Sequence, residues 1–306
     1  MAGDHTIASL PSAWLIGEAL LDEFRGLAVP GGAPFNVARS MAALGQGALL
    51  LSRLGAADAG AALLLDEMRR LHMDERGLQR DPLRPTGRVR IEESGAGEHR
   101  FHIEADAAWD YLDLVPIEAL LRSGQPALLY YGTLAQRSEA SRLAIQALLA
   151  RCSPGLLCYL DLNLRPGVDT AAFLLPSLER ADWLKVNADE LAWLLDTLGL
   201  PGPAALVQRF GLKRLILTRG AAGYAAYGPA GECLVEQGGV VQPQLVDTVG
   251  AGDAFSAMLL TASLRGLEFT AALELANRYA SAICGVRGPL PREPGFFVPW
   301  RAALAA

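Results

Sequence analysis

The chemistry of this chain concentrates in Leu245-Val246-Asp247-Thr248-Val249-Gly250-Ala251-Gly252-Asp253-Ala254-Phe255, where two glycines and a carboxylate precede a helical pattern. That pattern runs from Ala254 through Met258, Leu259 and Ala262 to Arg265 and stops at Gly266. Gly250 and Gly252 lack a Cβ, so the backbone can turn sharply and come close to a ligand. The N–H groups of Ala251, Gly252 and Asp253 would then project from the helix N-terminus, where the helix dipole also favours an anion. Phosphate is the usual occupant of such a cradle. Asp253, a carboxylate on the rim, is poorly suited to holding phosphate but well placed to take a proton from a hydroxyl attacking it. Two plainer readings fit the same residues: Gly-x-Gly before a helix is often a tight turn, and Asp in a first helical turn is often a cap. The rest of the chain decides between them.

The elements that would position this stretch alternate along the sequence. Ala13 to Leu21 reads as a buried strand ending at Asp22. Pro30-Gly31-Gly32-Ala33-Pro34 is a turn before a helix carrying Phe35, Val37, Ala38, Met41 and Leu44, with Pro34 in its first turn. Ala48 to Leu54 is a continuous apolar run suited to a strand buried on both faces, and Asp58 caps a helix to about Leu71. Further strands are expected at Ala127–Tyr131, Leu156–Leu162, Trp183–Val186 and Leu215–Thr218, with helices near Ser138–Ala150, Thr170–Leu178 and Asp189–Leu198. This alternation predicts an α/β fold of three layers, with a mostly parallel sheet between helices. Arg88–Glu92 and His99–Ile103 alternate in polarity around Ser94-Gly95-Ala96-Gly97 and read as an exposed hairpin inserted over 86–104. A second hairpin is expected around Gly228-Pro229-Ala230-Gly231, and helices from Ala251 and from Thr270 to Cys284 end the pattern. With neither repeat nor linker, 1–306 reads as one domain.

Composition narrows the partners. With 51% hydrophobic residues the chain can bury a large core. A net charge of -6 without a Lys/Arg cluster argues against nucleic acid. The four cysteines are scattered without metal or redox spacing, and His99 and His102 fall on opposite strand faces, so neither set suggests a metal. No targeting segment or span is legible, which leads to the expectation of a cytoplasmic protein with no membrane partner. In an open parallel sheet, ligands gather at the carboxyl ends of the strands. Asp22, Asn163, Arg165, Lys185, Asn187, Glu190, Thr218 and Asp247 all stand at or just after the end of an apolar run.

Two segments resemble the paired signatures of the ribokinase (PfkB) family of carbohydrate kinases. Gly31-Gly32-Ala33-Pro34-Phe35-Asn36-Val37-Ala38-Arg39 through Gly45 is similar to the N-terminal signature, and Asp247 to Phe255 matches the C-terminal one. Asp161-Leu162-Asn163-Leu164-Arg165-Pro166, Asn187-Ala188-Asp189-Glu190 and Thr218-Arg219-Gly220-Ala221-Ala222-Gly223 resemble further family blocks in the same order. The resemblance implies a ribokinase-like fold and an ATP-dependent sugar kinase. It implies that Asp253 is the catalytic base and that the N–H groups of Gly250, Ala251 and Gly252 form an anion hole. Asp22, Gly31, Gly32 and Asn36 fall on sugar-binding positions. Asn187 and Glu190 match the motif that acts through water on Mg²⁺, while Thr218, Gly220 and Gly223 match the loop along the nucleotide phosphates. Asn277 falls where the last helices border the adenine, and Asp247 with the Val249 carbonyl where some members bind a monovalent cation such as potassium (K⁺).

Gly17-Glu18-Ala19-Leu20-Leu21-Asp22 together with Asn163-Leu164-Arg165-Pro166 resembles fructokinases and 2-keto-3-deoxygluconate kinases. Arg165 could contact a substrate carboxylate, contact the ATP phosphates, or serve only in a structural ion pair. The expected reaction is phosphorylation of a terminal primary hydroxyl of a ketose such as fructose. A sugar-acid or nucleoside kinase, or a non-catalytic member that binds sugar and ATP, are the alternatives. Only Glu23 to Pro30 separates Asp22 from Gly31, a short segment for the family, which implies a lid reduced to the Arg88–Ile103 hairpin and leaves monomer or dimer open.

Overall fold

The computed structural model describes residues 12–24, 26–93, 99–151, 153 and 155–305. Thirteen strands and ten α-helices are defined among them. The strands are β1 (Ala13–Ile16), β2 (Leu20–Phe24), β3 (Leu27–Gly31), β4 (Ala48–Gly55), β5 (Leu78–Asp81), β6 (Gly87–Glu93), β7 (His99–Ile103), β8 (Leu128–Tyr131), β9 (Leu157–Asp161), β10 (Trp183–Asn187), β11 (Arg214–Thr218), β12 (Tyr224–Tyr227) and β13 (Cys233–Gln237). The helices are α1 (Ala33–Ala43), α2 (Ala59–Arg70), α3 (Leu114–Ser123), α4 (Glu139–Arg151), α5 (Leu174–Arg180), α6 (Ala188–Leu198), α7 (Pro203–Phe210), α8 (Ala251–Leu264), α9 (Phe269–Ile283) and α10 (Val298–Ala303).

Nine strands form the main sheet in the order β13-β12-β11-β10-β9-β8-β1-β4-β5. From β11 to β5 every pairing is parallel; β12 and β13 add an antiparallel edge. The continuous apolar runs explain why this sheet is buried on both faces. In β1, Ala13 and Leu15 join one core while Trp14 and Ile16 join the other, and β8 divides Leu128 and Tyr130 from Leu129 and Tyr131 in the same way. The first core takes side chains of α1, α2, α8 and α9, and the second those of α3 to α7. That is the three-layer α/β arrangement expected from the alternation. Residues 254–262 of α8 are all buried, as a helix apolar on every side requires. Asp58 caps α2 as expected, accepting from Ala61 N–H at 2.6 Å.

The structure corrects two readings at the N-terminal end. The run from Ala13 to Leu21 is divided at Gly17, whose φ of 147° breaks the strand. A Cβ there would also lie 2.7 Å from Pro34 Cγ. The chain then enters a second sheet. That sheet has four strands, in the order β3-β2-β6-β7, so the Arg88–Ile103 hairpin does not stand alone. Residues 23–30, read as a short connection, supply most of β3 and its turn at Gly26. β2 runs antiparallel to β3 and parallel to β6. The turn expected at Ser94–Gly97 lies outside the described residues.

Candidate active site

A cleft of about 1560 Å³ opens between the small sheet and the carboxyl ends of the main strands. It gathers Asp22, Gly32, Asn36, Arg165, Asp247, Gly250 and Asp253, seven expected site residues drawn from distant parts of the chain. Gly31 lies against Asp22, and a Cβ on it would sit 2.1 Å from Asp22 Oδ2. Gly32, with φ 98°, begins α1, and a Cβ there would strike the Glu18 carbonyl at 2.7 Å. The Gly-Gly pair therefore lets two acidic residues pack directly onto the entry to α1.

Gly250 stands at the head of α8 with φ 77°, and a Cβ on it would come within 2.3 Å of Pro289 Cβ. The turn is completed by Ala251 N–H, which donates to Thr248 O at 3.3 Å. This modifies the expected cradle, because the Ala251 amide already has an acceptor. The N–H groups of Gly252 and Asp253 have none among the described residues and remain available to an anion. Asp247 ties the approach to this turn, accepting from Val249 N–H at 3.0 Å through Oδ1 and from Gly288 N–H at 3.0 Å through Oδ2.

Asp253 is fixed from α1. Asn36 donates from Nδ2 to Asp253 Oδ2 at 2.8 Å, and Arg39 donates to Asn36 Oδ1 at 2.7 Å. Arg39 is buried, donates also to Pro30 O, and lies 3.6 Å from Glu67. With its oxygen facing Arg39, the Asn36 amide can only present its NH₂ to Asp253. Burial raises the pKa of Asp253 to about 6; the Asn36 hydrogen bond and the charges of Lys185 and Arg165 pull it down, while Asp161 pushes it up. Asp22 is also raised by burial to about 6, against the pull of Arg39 and Arg165.

The residues expected on the nucleotide side lie outside this cleft. Asn187 ends β10 and Thr218 ends β11, and the two are register partners across that parallel pair. Gly220 and Gly223 bound the turn that follows, with φ of 54° and 94°. Asn187 and Glu190 form a capping box on α6: Glu190 N–H donates to Asn187 Oδ1 and Asn187 N–H to Glu190 Oε2. Glu190 Oε1 accepts from Leu164 N–H at 2.8 Å, which ties the block carrying Arg165 to this helix. Burial raises the Glu190 pKa. Asn277, on α9, donates to Gly238 O at 3.3 Å.

Two features escaped the motif reading. Glu18 is buried, lines the cleft and accepts from Ala33 N–H at 3.2 Å, so it serves the N-terminus of α1. Burial raises its pKa to about 7. Its signal was an acidic residue inside an apolar run. The second is the partnership of Lys185 with Asp161, at 2.8 Å and 2.9 Å, since register rather than spacing brings them together. His102 lines the cleft, whereas the side chain of His99 lies outside the described residues.

Fold and site together define a phosphotransferase acting on a small molecule. The model of the family described as pfkB family carbohydrate kinase matches residues 2–294, and the chain belongs to that family. It is therefore an enzyme that phosphorylates a sugar. It is 30% identical to probable fructokinase-3 of Arabidopsis thaliana, over 95% of this chain and 87% of that protein. It is 31% identical to fructokinase-2 of Oryza sativa subsp. japonica, over 84% of this chain and 77% of that one. Among solved structures, a sugar kinase of Pyrococcus horikoshii in complex with ATP superposes with a TM-score of 0.77 at 25% identity, covering 90% of this chain and 93% of its own. Among the described residues no helix is long and apolar enough to cross a membrane.

Proposed function

We propose that the protein transfers the γ-phosphoryl group of ATP to a terminal primary hydroxyl of a ketose such as fructose, with the four-stranded sheet acting as the lid. The observation that carries this reading is the meeting of Asp253 with Asn36 and Asp22 in one cleft, beside amides at the head of α8 that have no acceptor among the described residues. The acceptor oxygen bonds to the γ-phosphorus as the bond from that phosphorus to the β–γ bridging oxygen breaks. The hydroxyl proton passes to Asp253, and ADP leaves with the electron pair. Phosphoryl transfer has a loose transition state, so a carboxylate of ordinary basicity suffices if it is well placed. The amides of Gly252 and Asp253, together with the Gly250 turn, receive the charge on the transferred group. Asp22 and Asn36 hold the sugar.

The nucleotide lies along Thr218, Gly220 and Gly223 in this reading, with Asn277 toward the base. The ATP bound in the Pyrococcus relative supports the choice of nucleotide. Asn187 and Glu190 would hold Mg²⁺ through water. Both Glu190 oxygens already accept a backbone N–H, leaving lone pairs that suit an ordered water better than direct coordination. When bound, the ion neutralises charge on the ATP phosphates. Asp247 retains a lone pair on each oxygen for K⁺.

Ketose selection is supported by the two fructokinase relatives and by the three carboxylates, Glu18, Asp22 and Asp253, that line the acceptor cleft. A second reading, a sugar acid of the 2-keto-3-deoxygluconate type, is favoured by one observation: Arg165 is exposed in the cleft and has no ion-pair partner among the described residues. A panel of ketoses, sugar acids and nucleosides, read by ADP release with and without potassium, separates the two. Turnover confined to acids or nucleosides would reject the ketose.

A further inference from the structure

The site contains a buried ion pair to which no step of the reaction assigns a task. Asp161 ends β9, Lys185 lies in β10, and they are register partners with both side chains under α8. Asp161 is 1% exposed and Lys185 7%. Lys185 Nζ donates to Asp161 Oδ1 at 2.9 Å and Oδ2 at 2.8 Å, while Ser256 Oγ and Tyr130 OH donate to Oδ2 at 3.0 Å and 3.3 Å. Tyr159 OH meets Ser256 Oγ at 3.1 Å. Asp161 is thus held by Ser256 and Tyr130 and grips Lys185 in turn.

The cationic end lies at the anion cradle. A Cβ built on Gly252 would stand 3.5 Å from Lys185 Nζ, so the ammonium lies close to the first turn of α8. Ser256 lies one turn beyond Asp253 on α8, so its bond to Asp161 anchors the helical turn that carries the carboxylate. A buried ion pair is a poor way to stabilise a core, since apolar residues of similar volume generally do as well or better. Its location calls for another account.

We propose that the Asp161–Lys185 pair is a positioning element for phosphoryl transfer, holding the first turn of α8 and balancing the charge around Asp253 and the incoming phosphoryl group. Lys185 supplies positive charge where the transferred group brings negative charge, and Asp161 keeps it stationary without a cation exposed in the empty cleft. The charged or titratable groups that act on Asp253 come from several elements: Glu18 after β1, Arg39 on α1, Tyr130 on β8, Asp161 on β9, Arg165 beyond it and Lys185 on β10. Of these, Asp161 and Lys185 press in opposite directions from the same place, so they can be separated by sign.

The inference rests on Asp253 being the base, and the test distinguishes the two claims. Lys185→Met, Asp161→Asn, their double variant and Asp253→Asn are compared by the pH profile of kcat/KM and by kcat at the plateau. Lys185→Met is expected to lose at least about tenfold in kcat and to move the acid limb upward by about half a pH unit or more. Asp161→Asn is expected to move that limb downward. Should Asp161→Asn prove insoluble, the double variant replaces it, and its limb must lie below that of Lys185→Met. A limb that stays in place in Lys185→Met, or moves the same way in both single variants, overturns the proposal. If Asp253→Asn is inactive while the limb of Lys185→Met is unmoved, the ion-pair inference alone fails. If Asp253→Asn keeps full turnover, the base assignment fails, and the inference with it.

Discussion

Asn36 holds Asp253 by a 2.8 Å hydrogen bond that joins the first turn of α1 to the first turn of α8, across 217 positions of chain. In the proposed reaction the bond would do more than recognise sugar, because it stabilises the ionised form of the carboxylate proposed to accept the proton. Asp253 sits at about 6, so kcat/KM should rise with pH through that value and level off above about pH 7. Asn36→Ala removes a group that lowers this pKa. Its acid limb should therefore shift to higher pH, with lower activity at pH 6 than at pH 8 relative to the wild type. A pH–rate profile of the variant checks this, and a limb displaced downward would contradict the assignment.

Asp253→Asn keeps the shape of the side chain and removes its ability to take a proton. We expect kcat to fall by about 10²–10⁴-fold while ATP affinity stays within a few fold. Single-turnover kinetics with nucleotide binding measured by calorimetry would check both halves. A variant within tenfold of wild-type turnover would exclude Asp253 as the base.

The two glycines at the head of α8 should respond differently to a methyl group. Gly250→Ala places a Cβ 2.3 Å from Pro289 at a φ of 77°, so strain and overlap together should cost about 2–4 kcal/mol. In Gly252→Ala the nearest atom is Lys185 Nζ at 3.5 Å, an ordinary contact, so stability should stay within about 1 kcal/mol of wild type. Urea denaturation of the two variants tests the contrast.

Glu18 offers a stability test. Its pKa is 4.5 in an unfolded chain and about 7 in the fold, so the folded protein keeps a proton that the unfolded chain releases. This contribution to stability is fully present below pH 4.5 and declines as pH rises to 7, by roughly 3 kcal/mol in all. Asp22 and Asp253, both raised, act with the same sign. Glu18→Gln removes only its own share, so between pH 5 and pH 8 it should lose less stability than the wild type. Thermal unfolding at the two pH values measures the difference. An unchanged pH dependence would place the raised pKa elsewhere.

What could be read in the sequence was what is local. The Gly250-to-Asp253 turn and the parallel strands were legible because each rests on neighbouring residues or on an unbroken apolar run, whereas Asn187 and Glu190 stood out as a family motif and not as the cap of α6. The small sheet was half hidden. β3 exposes Leu27 by 70% and Val29 by 44%, so it lacks the buried alternation that marks a strand, and Gly17 breaks the first strand where the apolar pattern continues. Lys185 was visible as a polar strand end and Asp161 only as the first residue of a block that resembles the family. Their pairing depends on strand order, which spacing along a chain does not encode.

Gly17 also determines how the cleft is built. It sends one continuous apolar run into two sheets, so Asp22 belongs to the small sheet while Asn36 and Asp253 belong to helices packed on the large one. The cleft therefore has two separately anchored walls. A polyol bonded to both is a strut between them, and its own length becomes part of the architecture. A water molecule, about 30 Å³ in a space of about 1560 Å³, braces nothing. Under the proposed function, discrimination between the acceptor and solvent would lie in reach as well as in reactivity: the guest that bridges the gap would finish the building.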